Sequence, residues 1–153
     1  MIDYKFYNAN PLGEFEQDCV CRAISTATKI DYKRIEHKLQ LIGDLFECDK
    51  LCVCCYHHLL EAVFGLKSKR ANGKTVREVA KDYPNDTLII RIEGHLTMSD
   101  CGTVYDIWDC TQEKADIFWV VKWGKRAKTL FFLVQMYKFL KKTKKFLKKL
   151  LTF

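Results

Sequence analysis

Three residues far apart in the sequence, Cys19, His95 and Asp106, have the side chains of a nucleophile, a general base and a group that orients the base. A thiol becomes a good nucleophile once it loses its proton, and both a helix N-terminus and a neighbouring imidazolium favour that loss. Asp18 precedes Cys19 as a candidate helix N-cap, which places the thiol in the first turn of a predicted helix. The order Cys, His, Asp therefore indicates nucleophilic catalysis by a thiol.

The histidine and the aspartate lie on two predicted strands that flank a turn at Cys101-Gly102. A two-residue turn at this point places His95 opposite Trp108. Because side chains alternate between the faces of a strand, Asp106 shares the face of His95, one diagonal step away. Asp109 points to the other face unless the strand has ended or bulged. We therefore expect Asp106 to orient His95, with Asp109 as the alternative.

The first half of the sequence predicts helices and the second half predicts strands. A loop-rich segment, 1–17, comes first. Apolar spacing and capping residues then predict four helices, at about 18–28, 31–42, 56–64 and 75–83. Segments rich in β-branched and aromatic residues predict the strands Thr87–Ile92, His95–Ser99, Thr103–Asp109 and Asp116–Trp123. Helices followed by antiparallel strands indicate an α+β fold.

The charge of the chain is divided unevenly along its 153 residues. Residues 125–153 contain ten of the 26 basic residues and none of the 19 acidic ones, so residues 1–124 are mildly acidic although the whole chain carries +7. We expect a domain at 1–124 and a separate basic segment at 125–153. The absence of an apolar run of about 18 residues or of a signal-peptide pattern predicts a cytoplasmic protein.

The basic segment contains a near-repeat, with Lys138–Lys142 followed by Lys145–Lys149. Its Phe and Leu residues gather on one face of a helix and its lysines cover the other. This pattern predicts a basic amphipathic helix, for which three partners are open: the domain itself, an anionic membrane surface, or nucleic acid. The apolar stripe favours the first two over nucleic acid.

Eight cysteines are many for a chain of this length, and four of them are close together in the sequence. The run Cys48-x3-Cys52-x-Cys54-Cys55-x-His57-His58 offers six ligands for a soft metal ion. The spacing matches no recognised zinc finger, and a cysteine-rich loop without metal is the simpler interpretation. We therefore expect no metal and no cofactor at the catalytic residues, and leave zinc at this run open.

Two short segments resemble small papain-fold proteins of phages and bacteria that are uncharacterised or assigned as cysteine proteases. The first is Asp18–Ile24, and the second is formed by Gly94–Thr97 together with Tyr105–Asp109. The run Asp106-Ile107-Trp108 is also similar to the Asn-Ser-Trp of papain, in which the Asn orients the catalytic His and the Trp shields that bond. The resemblance covers roughly residues 15–123. It implies a papain-like fold with Cys19 as nucleophile, His95 as general base and Asp106 as its orienting group.

The chain departs from papain-like enzymes in the residue that would stabilise an oxyanion. Such enzymes use a Gln several residues before the Cys, whereas Gln17 lies only two residues before Cys19. Gln17, Asn8 and Asn10 are the candidates, with the backbone N–H of Cys19 as the second donor. Because no clear oxyanion donor is present, an inactive protein that uses this fold only for binding stays an alternative.

Together these features predict a cysteine-dependent hydrolase that cleaves an amide, peptide or isopeptide bond of a protein or peptide substrate. The main alternative is an inactive papain-like module that sequesters a host protein or a ligand, as in phage counter-defence. A thiol transferase using the same residues is a third. A phage origin, implied by the resemblance alone, would place the protein in the host cytoplasm, in contact with membrane if the basic segment binds lipid.

Overall fold

The computed structural model describes residues 3–15 and 17–122, which belong to one compact unit that ends at Lys122. The basic segment at 125–153, with its predicted helix, lies outside the described residues. The helices are α1 (Cys19–Thr28), α2 (Tyr32–Phe46), α3 (Val53–His58) and α4 (Val76–Asp82), and a π-helical turn, Leu59–Val63, continues α3. The strands are β1 (Tyr4–Phe6), β2 (Ser68–Arg70), β3 (Thr87–Ile92), β4 (His95–Asp100), β5 (Thr103–Asp106) and β6 (Ile117–Val120).

Local capping chemistry explains where the helices begin. The Asp31 side chain accepts a hydrogen bond from the N–H of Arg34 and so caps α2 as predicted. Thr75 and Glu78 form the predicted capping box at the start of α4. The third helix begins at Val53, three residues earlier than predicted, because the side chain of Cys52 caps it.

The six strands form one mixed sheet in the order β1-β5-β4-β3-β6-β2. Neighbouring strands are antiparallel except β1 and β5, which pair in parallel. The prediction of a purely antiparallel sheet was therefore wrong at one edge. Strands β1 and β2 have only three residues each, which is too short to show an alternating pattern.

The hairpin between β4 and β5 has the predicted register. Met98 pairs with Tyr105 and Ser99 with Val104, across a turn at Cys101-Gly102. Both turn residues have positive φ, 49° and 79°, as a type I′ turn requires. β5 ends at Asp106, three residues earlier than predicted. With this register, His95 and Asp106 lie on the same face of the hairpin, as predicted.

The sheet is covered on both faces, which explains why β3 is apolar almost throughout. One face packs against α1, α2 and α3 through a core that includes Ile24, Leu39, Leu59, Ile89 and Trp119. The opposite face packs against α4, through a second core that includes Val76, Val79, Leu88, Ile90 and Val104. Alternate residues of β3 thus enter different cores. The fold is α+β, with the start of α1 lying over β4.

Candidate active site

Cys19 is the first residue of α1, as predicted, but Asp18 does not cap the helix with its side chain. The Asp18 carboxylate instead forms a buried ion pair with Arg22, one helical turn further on. It also accepts hydrogen bonds from Tyr32 Oη at 2.6 Å and Asn10 Nδ2 at 3.0 Å. These contacts fix the start of the helix, and with it the position of the Cys19 thiol.

His95 and Asp106 are in direct contact across the hairpin. His95 Nε2 lies 2.7 Å from Asp106 Oδ2, and both side chains are largely buried, with 13% and 4% of their surfaces exposed. Asp106 Oδ1 accepts a second hydrogen bond, from the N–H of Ile107 at 2.7 Å. The carboxylate is therefore held at both oxygens, and it fixes the plane of the imidazole ring.

Cys19 lies close enough to the same imidazole for His95, and for the backbone of Leu96 that follows it on β4, to lower the pKa of the thiol. In turn, the thiol contributes to the raised pKa of His95. The structure thus places the three residues predicted from the sequence next to one another.

The contacts between Cys19 and His95 favour charge separation between them. Burial raises the pKa of Cys19, but the hydrogen bonds from His95 and the Leu96 backbone outweigh burial and hold the pKa below its ordinary value of 9.0. Burial lowers the pKa of His95, yet the hydrogen bonds with Asp106 and Cys19 raise it to about 9. Both shifts favour the thiolate of Cys19 and the imidazolium of His95 over their uncharged forms, and the thiolate is the reactive form of a thiol.

The two other buried thiols near this site have the opposite character. Cys21, on the buried face of α1, has its pKa raised to about 12, chiefly by burial. Burial likewise raises the pKa of Cys110 to about 12, with a contribution from the negative charge of Asp106. Neither thiol forms a thiolate at neutral pH, so Cys19 is the activated one of these three.

Asp109, the alternative orienting residue, lies away from the imidazole. Its side chain is exposed and accepts a hydrogen bond from the N–H of Thr111 at 3.0 Å. The hydrogen bonds with Thr111 lower the pKa of Asp109. The carboxylate that contacts His95 is that of Asp106.

Trp108 covers the imidazole. Its ring centroid lies 5.4 Å from that of His95, at an interplanar angle of 54°. The indole is 41% exposed, so it packs against the imidazole and also forms part of the molecular surface. That the Trp shields the bond between His95 and Asp106, which the resemblance to papain implies, stays a prediction.

Cys19 and His95 open onto a cleft of about 1290 Å³. Its walls come from the start of α1, the segment before α3, the turn between β3 and β4, and the loops that follow β5. Apolar and charged side chains both line it, including Leu51, Val53, Arg91, Glu93, Ile107, Trp108 and Lys114. A cleft of this size exceeds the range of typical small-molecule pockets, about 300–1,000 Å³, and has room for several residues of an extended peptide.

The structure distinguishes between the three candidates for the oxyanion donor. Asn8 binds within its own loop, donating to the Glu14 carbonyl and accepting from the N–H of Asn10. Asn10 donates to Asp18 and accepts from the N–H of Leu12. Gln17 lines the cleft beside Cys19. Of the three, Gln17 is therefore the side chain placed to reach a bound carbonyl.

His95, Asp106 and Cys110 are close enough to share a metal ion, with ligand atoms within 4.8 Å of one another. Cys110 is buried and protonated, however, and His95 is already committed to Asp106 and Cys19. A metal ion would have to displace these hydrogen bonds. The donor set thus suits proton transfer better than metal binding.

The sequence analysis missed the buried polar network under Cys19, formed by Asp18, Arg22, Tyr32 and Asn10. One signal was available, since Asp18 and Arg22 are four residues apart and so adjacent on a helix. Tyr32 and Asn10 come from a separate helix and a loop, and nothing in their spacing indicates that they meet at Asp18.

Comparisons with protein-family models, with curated proteins and with solved structures yield no match to this chain. The resemblance to papain-like proteins therefore depends on the short sequence motifs alone and stays a prediction. Within residues 3–15 and 17–122, every helix is too short or too polar to cross a membrane.

Proposed function

We propose that the chain is a papain-like thiol hydrolase that cleaves an amide, peptide or isopeptide bond, with Cys19 as nucleophile, His95 as acid and base, and Asp106 as the orienting group. The observation that carries the proposal is the 2.7 Å contact of His95 Nε2 with Asp106, with the Cys19 thiol close enough to the same imidazole for its pKa to be lowered. A buried histidine with a purely structural role also needs hydrogen-bond partners for its ring nitrogens. Such a role does not require a thiol beside the ring, at the start of a helix and on the wall of a cleft.

The proposed reaction begins with the thiolate of Cys19 attacking the carbonyl carbon of the scissile bond. The tetrahedral intermediate collapses to a thioester as His95 transfers its proton to the departing amine. Neutral His95 then removes a proton from water, which attacks the thioester. The products are a carboxylic acid and the regenerated thiol, and Asp106 stabilises each imidazolium stage without itself gaining a proton.

Two donors are available for the negative oxygen of the intermediate. The N–H of Cys19 belongs to the first turn of α1, where N–H groups have no acceptor within the helix. Gln17 lines the cleft from the same segment and supplies the second donor in this proposal. Gln17→Ala should therefore reduce kcat by about 10²–10³ with a smaller effect on KM.

A protein or peptide is the substrate class best suited to the cleft. Four separate segments line the cleft, and its apolar side chains next to charged ones match the mixed character of a polypeptide. Trp108 and Val53, both partly exposed, offer apolar surfaces for side chains of the substrate.

Thiol reactivity tests the activation step without knowledge of the substrate. Iodoacetamide labelling followed by peptide mass spectrometry should modify Cys19 faster than Cys101, which is exposed in a hairpin turn and serves as an internal reference. His95→Ala should slow labelling of Cys19, whereas His37→Ala, an exposed histidine of α2, should leave it unchanged. Equal labelling rates for Cys19 and Cys101 would contradict the proposed activation.

Hydrolysis itself is tested by incubating the protein with denatured proteins and peptide mixtures and sequencing the new termini. Cys19→Ala is the control, since it removes the nucleophile and retains the cleft. Cleavage by the wild type alone supports a hydrolase. Rapid labelling of Cys19 without cleavage, but with peptide retained by Cys19→Ala, would favour the alternative of a binding module.

A further inference from the structure

Four cysteines outside the catalytic site converge on one point in the fold. Cys48 follows α2, Cys52 caps α3, and Cys54 and Cys55 lie in the first turn of α3. The Cys48 sulfur is 3.2 Å from Cys52, 3.1 Å from Cys54 and 3.2 Å from Cys55, and Cys52 is 3.4 Å from Cys55. All four sulfurs lie within 4.8 Å of one another.

The chain folds tightly to bring Cys48 to the other three. Glu47 adopts a left-handed conformation, with φ of 53°, and the N–H of Cys48 then bonds back to the Gly43 carbonyl at 3.0 Å. A β-carbon at Gly43 would lie only 2.8 Å from the carbonyl oxygen of Cys48. Glycine at this position thus permits the close approach that brings Cys48 to α3.

We propose that Cys48, Cys52, Cys54 and Cys55 bind one zinc ion as a tetrahedral tetrathiolate site. Zinc–sulfur bonds of about 2.3 Å place tetrahedral sulfurs about 3.8 Å apart, so the contacts of Cys48 with the other three sulfurs would have to lengthen by roughly 0.6 Å, and the shorter contact between Cys52 and Cys54 by more, to accept the ion. Four thiolates around a single point are typical of zinc, which has no need of further ligands in a structural site.

Hydrogen bonds around the sulfurs also suit metal-bound thiolates. The N–H of Cys55 points to the Cys52 sulfur at 3.4 Å, and such a bond stabilises negative charge on sulfur. Asp49, between the first two cysteines, accepts hydrogen bonds from the N–H groups of Leu51 and Cys52, which shape the loop between the ligands.

The histidines of the same run lie outside this sulfur cluster. His57 stacks edge-on against Trp119, with ring centroids 4.9 Å apart, and its Nε2 is 3.5 Å from Arg91. His58 packs against Phe46 in a similar way, at 5.0 Å. Of the six candidate ligands in the sequence, the proposed site therefore uses the four cysteines and neither histidine.

The metal would stabilise one wall of the cleft. Asp49, Leu51, Cys52 and Val53 all line the cleft that contains Cys19, and all four lie between the first and third ligands in the sequence. A bound zinc ion would hold both ends of the three-residue loop between Cys48 and Cys52 and so make this part of the cleft wall more rigid. The metal site itself does not depend on catalysis at Cys19.

The competing chemistry is oxidation, because the structure pairs Cys52 and Cys54 as a disulfide. Forming that bond removes two thiol protons and two electrons, which requires an oxidant, and it withdraws two of the four ligands. Zinc binding and this disulfide therefore exclude one another. The mass of the intact protein distinguishes them, because the disulfide form has two hydrogens fewer.

Elemental analysis of the full-length protein, purified under reducing conditions with zinc in the medium, tests the site. We expect one zinc per chain, lost in Cys48→Ser and in Cys54→Ser and retained in Cys101→Ser. Cys19→Ala should also retain zinc, so failure of the proposed hydrolase and failure of the metal site are distinguishable.

Cobalt substitution of the wild type makes the test independent of whether the variants fold. Tetrahedral cobalt bound by four thiolates gives strong charge-transfer bands and intense visible bands, and addition of zinc should abolish both. The proposal is overturned if the reduced wild-type chain binds neither metal, if it carries iron instead, or if its mass lacks two hydrogens and mapping finds the Cys52–Cys54 disulfide.

Discussion

Replacing Asp106 by asparagine removes the charge beside His95 while nearly preserving the shape of the side chain. The pKa of His95 stands at about 9 instead of 6.5, with Asp106 the first of the groups that raise it. At about 1.4 kcal/mol per pH unit, this difference corresponds to roughly 3 kcal/mol in favour of the imidazolium. We expect Asp106→Asn to lower the pKa of His95 by about 1–3 pH units.

The same substitution creates a conflict of hydrogen bonds. The two oxygens of Asp106 accept from His95 Nε2 and from the N–H of Ile107. Asparagine has one oxygen, so one of these two donors must face the amide NH2 group and lose its partner. The loss of one buried hydrogen bond should reduce the free energy of unfolding by about 1–3 kcal/mol.

NMR titration of the histidine ring protons measures this pKa without any substrate. The signal of His95 is assigned by its loss in His95→Gln, and the iodoacetamide rate of Cys19 is followed over the same pH range. Asp109→Asn is the matched control, since it makes the same chemical change three residues away at a carboxylate that binds Thr111. The reasoning is refuted if Asp106→Asn leaves the pKa of His95 unchanged, or if Asp109→Asn lowers it equally.

Three further predictions concern the surroundings of the site. Arg22→Ala leaves the buried Asp18 carboxylate without its ion pair and should cost about 3–5 kcal/mol of unfolding free energy in urea, whereas the exposed Arg34→Ala should cost under about 0.5 kcal/mol. Trp108→Ala opens the His95 ring to water, and because burial is the largest influence on the pKa of His95 and lowers it, the ring-proton titration should show a higher pKa. Because the folded pKa of His95 is raised from 6.5 to about 9, its stabilising contribution is complete below pH 6.5 and disappears as pH rises through about 9. Urea midpoints should therefore fall over that interval in the wild type and less in His95→Gln.

The elements predicted most accurately from the sequence are those that depend on neighbouring residues. The capping box at Thr75 and the cap at Asp31 bind N–H groups three residues away, so the pattern and the contact lie within one turn. The turn at Cys101-Gly102 determines the register of the hairpin in the same local way, and with it the face on which Asp106 meets His95. The contact could be predicted from the sequence because side chains alternate between the two faces of a strand. Whether two residues share a face then depends only on whether their distances from the turn are odd or even.

Contacts between distant segments were less accessible. The ion pair of Asp18 draws in Asn10 and Tyr32 from either side of α1, and the four cysteines converge only because the chain reverses at Glu47. Gln17 could be separated from the loop asparagines only once their hydrogen bonds were known. In each case the contact joins residues that are far apart in the sequence, and no helical or strand periodicity relates their positions.

Strand β1 illustrates why the missed element matters to the chemistry. It has three residues, two of them exposed, and forms the parallel edge beside β5. Tyr4 Oη and the N–H of Tyr7 both donate to the backbone carbonyl of Asp106, at 3.3 and 2.8 Å. Tyr4 and Tyr7 thus hold the backbone of Asp106, although Tyr4 is 102 residues away from it in the sequence. The position of the carboxylate is set from two directions, by the turn at Cys101-Gly102 along the chain and by β1 across the sheet, and only the first of these leaves a signature in the sequence.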